Sequence, residues 1–147
     1  MKRASLISVF LVAGLLMVWG CASTANVNTK DVNCPAKISW KVVPEAQVTT
    51  FECIKTTYKK KPAIAFVMGL KNVSDKPLRF KVHIFLVNEN KAVGGKIPRK
   101  GKKNKKTGKK GKPVLQPGES VKVKYPVAKT TTLPGRLEVV IETCPYL

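Results

Sequence analysis

Beyond residue 34 the chain alternates apolar and polar positions with a period of two. Lys37–Val43 places Ile38, Trp40 and Val42 on one face. Val48–Tyr58 is rich in Thr and aromatic residues and sets Phe51 and Cys53 in the same phase. The pattern is strongest in Ala63–Val73 (Ile64, Phe66, Met68, Leu70) and Leu78–Val87 (Leu78, Phe80, Val82, Ile84, Leu86). It returns in Val121–Val127 and in Arg136–Cys144, where Leu137, Val139 and Ile141 are in phase. Alternate side chains on a strand point to opposite faces, so each run predicts a half-buried strand. Asn72–Pro77, full of turn formers, lies between the two strongest runs, which predicts an antiparallel hairpin there. Asn88–Gly95, with its Gly94-Gly95 pair, predicts a turn. No segment carries a helical stripe. Short strands bounded by Pro and Gly predict an all-β fold, an antiparallel β-sandwich of about seven strands.

Two stretches break the alternation. The first is Leu6–Trp19, in which Ser8 is the one polar residue, preceded by Lys2 and Arg3. It is too short to cross about 30 Å of hydrocarbon comfortably and has the build of an export leader. Its end, Val18-Trp19-Gly20-Cys21, resembles the lipobox of bacterial lipoproteins through Val18, Gly20 and Cys21. The resemblance implies diacylglycerol on the Cys21 thiol, cleavage before Cys21 and acylation of the new amino group. Two or three acyl chains make a stable anchor where one does not. Ala22 in place of Asp implies the outer membrane, with the domain facing the periplasm. Ordinary secretion with cleavage after Ser23-Thr24-Ala25 is the alternative. The expected organisation is a leader over residues 1–20, a lipidated Cys21 with a flexible tether over 21–33, and one domain over 34–147.

The second stretch is Lys96–Lys112. It contains ten basic residues in seventeen positions and no acid: Lys96, Arg99, Lys100, Lys102, Lys103, Lys105, Lys106, Lys109, Lys110 and Lys112. Removing Lys2 and Arg3 with the leader lowers the chain's formal +20 to +18, so more than half of the mature excess sits in this segment. With Ile97 as its sole large apolar residue it has nothing to bury, and it is expected to extend as a mobile loop between two strands. Such a cluster suits an anionic lipid or glycolipid surface, or an acidic envelope protein. The absence of interleaved aromatic residues argues against nucleic acid. A solvated, solubilising loop is the plain structural alternative.

The run Gly69-Leu70-Lys71-Asn72-Val73-Ser74, the alternating strand after it and Leu115-x-Pro117-Gly118-Glu119 are similar to Ig-like β-sandwich modules of envelope proteins. That resemblance informs fold alone. Three cysteines remain beside Cys21, and an exported chain permits one disulfide among Cys34, Cys53 and Cys144. Strand phase favours Cys34–Cys144 with Cys53 buried and free; Cys53–Cys144 is close behind. His83 shares a face with Arg79 and Lys81 and has no ligand-like spacing to a cysteine, so neither metal nor cofactor is called for. Glu138 and Glu142 share a strand face about 13 Å apart, too far to work as a pair. No Gly-x-Ser-x-Gly or Ser-x-x-Lys setting occurs. The expectation is a membrane-anchored binding or assembly module without catalytic chemistry, or a lipoprotein that captures a polyanion (lipopolysaccharide, anionic lipid or DNA) through the Lys-rich segment.

Overall fold

The computed structural model describes Val27 and residues 31–101, 103 and 105–144. Residues 1–20, expected to be a leader, Cys21 and Lys102 lie outside the described residues. Among the described residues eight strands form two four-stranded sheets: β1 (Val32–Asn33), β2 (Lys37–Val42), β3 (Ala46–Tyr58), β4 (Lys61–Asn72), β5 (Arg79–Leu86), β6 (Lys91–Ile97), β7 (Ser120–Val127) and β8 (Arg136–Cys144). One sheet has the order β1-β3-β4-β7 and the other β2-β8-β5-β6. The all-β sandwich is present, with mixed rather than purely antiparallel sheets, because β1 runs parallel to β3 and β2 parallel to β8.

The alternating residues fill the space between the sheets. Ile64, Phe66, Met68 and Leu70 of β4 face Phe80, Val82, Ile84 and Leu86 of β5, and all eight are buried. Phe51 sits at the centre, stacked on Phe66 at 5.9 Å and met edge-on by Trp40 at 5.2 Å. Each buried aromatic of this kind contributes about 2–3 kcal/mol of apolar transfer.

The expected hairpin between Ala63–Val73 and Leu78–Val87 does not form. β4 pairs with β3 and β7, whereas β5 pairs with β6 and β8. Alternation shows which side chains share a face, and two strands with matching apolar faces can sit opposite each other as well as side by side. The link from β4 to β5 is therefore an arch between the sheets. Asn72, fully buried, pins it. Its Nδ2 donates to the carbonyls of Lys76 (2.7 Å) and Leu115 (2.9 Å), and its Oδ1 accepts from the N–H and hydroxyl of Ser74 (3.0 and 2.7 Å). β4 makes its hairpin with β3 instead, turned by Lys59 and Lys60, both at positive φ (50° and 63°).

The turn expected over Asn88–Gly95 is mostly strand β6. Its two glycines lie in the ladder with β5, and a Cβ at Gly94 would come within 1.9 Å of the Val82 carbonyl oxygen. Glycine here marks a close backbone approach and not a chain reversal. Residues 31–33, assigned to the tether, are already part of the folded body, since Val32 and Asn33 pair with Phe51 and Glu52. The same register brings Cys34 beside Cys53, and these two form the disulfide, with Cα atoms 4.8 Å apart. The favoured Cys34–Cys144 pairing is corrected: Cys144 is a free, half-buried thiol in the other sheet, in register with Arg79. Strand phase could not locate Cys34 because the pairing of β1 with β3 is not written in either strand's periodicity.

Candidate polyanion-binding loop

The Lys-rich segment is a link between the sheets, from β6 to β7, and both its roots are fixed. Ile97, buried and paired with Phe80, sets where it leaves. Leu115, buried and bonded to Leu78 in both directions (2.8 and 3.0 Å), sets where it returns. Gly118, at φ 74°, donates to the Asn72 carbonyl, and the Asn72 N–H donates to the Glu119 carbonyl. The arch and the root of the loop are thus one hydrogen-bonded unit.

Between the roots the segment has shape despite its charge. Arg99 fastens it to the β7 edge: Nη2 donates to the Lys124 carbonyl at 3.3 Å, and the guanidinium lies 5.5 Å from the centre of the Tyr125 ring. Burial pushes the Tyr125 hydroxyl up to about 12 from its ordinary 10.0, and Arg99 works in the opposite direction. The two strands of the loop then meet at a neck. A Cβ on Gly101 would sit 1.8 Å from the Gly111 carbonyl oxygen, so glycine is required for the strands to touch there. Past the neck Lys103 and Lys110 form an antiparallel bridge, and residues 105–107 turn the chain, with Gly108 at φ 67°. The expected extension is therefore a short, necked ribbon.

The ribbon separates the sequence-selected residues. Lys103, Lys105, Lys106, Lys109 and Lys110 lie beyond the neck, and Lys100 and Lys112 flank it, all exposed. Arg99 is the fastener. Lys96 lies apart, on the outer face of the β2-β8-β5-β6 sheet in register with Lys81. No Asp or Glu occurs from Lys91 to Gly118, so nothing within the ribbon's own sequence neutralises it. Like charges on adjacent strands repel, and a polyanion relieves that repulsion by replacing many loosely held counterions.

The edge strand beside the ribbon adds two lysines that sequence reasoning passed over. Lys122 and Lys124 project from the outer face of β7 and reach across β4 to Glu52 Oε1 (3.0 Å) and Thr56 Oγ1 (2.9 Å). They can cross because the outer face of β4 is built from Ala63, Ala65, Val67 and Gly69, all small or short. Their stems cover that face and their heads remain in solvent. A second basic cluster occupies the tip of the β3–β4 hairpin, where Lys59, Lys60 and Lys61 follow an exposed Tyr58, with Lys59 Nζ 5.6 Å from the Tyr58 ring centre. Three consecutive lysines before Pro62 were the available signal for it.

The remaining sequence candidates are dispersed. His83 stacks on Phe85 at 5.9 Å on an outer sheet face. Glu138 is paired with Lys41 at 2.6 Å. Cys144 borders an open cleft with Glu45, Asp75 and Lys76. Among the described residues no group of three or more metal-ligating side chains comes together. Comparison with known protein families, curated proteins and solved structures finds no match to this chain.

Proposed function

We propose that this chain is a non-catalytic, lipid-anchored binding module of the bacterial cell envelope that engages a polyanionic partner through the ribbon between Lys100 and Lys112. The observation that carries the proposal is the ribbon itself. A run of lysines without an acid is mounted through a glycine neck on a hydrogen-bonded root, and the fold spends no apolar burial on it beyond Ile97 and Leu115. A loop that only kept the protein soluble needs neither a neck nor a fastened base. Cys21 supplies the anchor in this reading, and the sandwich presents the ribbon.

Two variants test the two halves. Cys21→Ala releases the protein from membranes; sedimentation with membranes after a high-salt wash would contradict the anchor. Replacing Lys103, Lys105, Lys106, Lys109 and Lys110 with Gln removes binding to polyphosphate. Wild-type binding falls steeply with added salt, because each lysine that meets a phosphate releases a counterion. Salt-independent binding, or binding unchanged in the variant, would contradict the ribbon's role.

A further inference from the structure

The strand directions say which way the ribbon faces relative to the anchor. Val27 bridges Val48, and Val32 and Asn33 pair with Phe51 and Glu52 in the parallel sense. Val27 therefore sits towards the end where β3 begins, and Val32 and Asn33 lie further along it. That end is the arch end: Ala46 pairs with Asn72, and Val48, Leu70 and Val121 share one row. Both roots of the ribbon are at the same end, since Ile97 pairs with Phe80 near the start of β5 and Leu115 with Leu78. The β3–β4 hairpin tip lies at the other. From Leu70 to Lys61, nine residues at about 3.3 Å each, the separation is about 30 Å.

Chain length tightens the constraint. Six residue steps separate Cys21 from Val27, which at full extension span about 20 Å. An anchored Cys21 thus holds the arch end near the headgroups. The ribbon beyond the neck can reach on the order of 10 Å further. The hairpin tip, about 30 Å from the Val27 row, is several Debye lengths away at physiological salt, where the length is about 8 Å. The arch end carries Glu45, Asp75 and Glu119, but Lys71 and Lys76 are at the same end and the ribbon's lysines outnumber the acids.

Resting on the reading of Cys21 as anchor and the ribbon as an anion site, we infer that the ribbon's polyanion is the anionic lipid surface of the same membrane that holds the anchor. Lipid and lysines make a two-point attachment that fixes the sandwich's orientation, with Tyr58 and Lys59–Lys61 presented at the distal end. Each lysine near such a surface contributes about 1 kcal/mol, so several acting together outweigh the loss of tumbling freedom.

Lysine footprinting tests this with the full lipidated protein. It is reconstituted into vesicles of phosphatidylcholine alone or with one third phosphatidylglycerol, acetylated briefly, and mapped by mass spectrometry. Phosphatidylglycerol is expected to lower acetylation of Lys103, Lys105, Lys109 and Lys110 at least fivefold and to leave Lys59–Lys61 unchanged. Protection of Lys59–Lys61 instead would show the reverse orientation and overturn the inference. A third arm adds polyphosphate to the phosphatidylcholine vesicles. Protection of the ribbon by polyphosphate but not by phosphatidylglycerol would overturn the membrane assignment and leave the anion site standing, with an acidic protein or glycan as its partner. Protection by neither would overturn both.

Discussion

The β4–β5 and β6–β7 links both cross between the sheets at the same end of the molecule, and they are built in opposite ways. The β4–β5 arch, residues 73–78, is short and turns around one buried amide whose every polar atom is used. The β6–β7 link, residues 98–119, is long, basic and bonded chiefly at its base. The first stabilises the sandwich and exposes little chemistry. The second exposes nearly all of its chemistry and contributes little to the sandwich. Their contact at Leu78 and Leu115 lets one support the other: the arch gives the ribbon a fixed place to start. A protein that must hold a repulsive cluster of charge can do so by confining it beyond a neck, where the repulsion is not transmitted to the core.

That division can be broken at the arch first. Asn72→Ala removes four side-chain hydrogen bonds from a buried site and is expected to cost about 4 kcal/mol, at about 1 kcal/mol each. Chemical denaturation reads this as a lower midpoint at unchanged slope. A loss below about 1 kcal/mol would mean that the arch does not depend on the amide. The disulfide comes next. Cys34 and Cys53 enclose a sequence separation of 19 residues, and Cys34→Ser with Cys53→Ser is expected to lower stability by about 3 kcal/mol in the chain-entropy model. Non-reducing peptide mapping of the wild type should recover the Cys34–Cys53 pair with Cys144 alkylated. Recovery of Cys144 in a bridge would contradict the register of β1 on β3.

The smallest expected effect lies where the two regions meet the edge strand. The Tyr125 hydroxyl is buried without a hydrogen-bond partner among the described residues, and burial raises its pKa to about 12. The folded chain therefore keeps a proton that the unfolded chain loses above pH 10, and stability falls as pH rises from 10 to 12. Tyr125→Phe should change stability at pH 7 by less than about 1 kcal/mol, because it removes an unsatisfied group. It should also make the alkaline decline shallower than in the wild type. An equally steep decline in the variant would show that Tyr125 does not carry it.

Much of the frame was legible in the sequence because burial on one face of a strand writes itself as period two. Ile64, Phe66, Met68 and Leu70, and Phe80, Val82, Ile84 and Leu86, face inward as their phase predicts for that reason. Partnership between strands leaves no such trace. The β4–β5 arch read as a hairpin because Asn72–Pro77 has turn composition, and the same residues can reverse a chain within a sheet or carry it between sheets. Gly94-Gly95 predicts a turn because such a pair usually marks one, while in β6 Gly94 admits the Val82 carbonyl. The pairing of Cys34 with Cys53 followed from the parallel placement of β1, which two strand residues are too few to announce. The ribbon was legible as composition, since ten basic residues without an acid need no structure to be seen. Its neck at Gly101 and Gly111, the fastening role of Arg99, and the end of the sandwich from which it springs depended on tertiary contacts.

The claim that the ribbon is the site and the arch is its support is tested most directly on one variant with two readouts. In the full chain carrying Lys103, Lys105, Lys106, Lys109 and Lys110 as Gln, unfolding free energy and polyphosphate affinity are measured at the same low ionic strength. The expected result is a stability within about 0.5 kcal/mol of wild type, as for exposed surface substitutions, together with an affinity lowered on the order of 100-fold or more. An affinity equal to wild type, or a loss of affinity matched by a loss of several kcal/mol in stability, would contradict it.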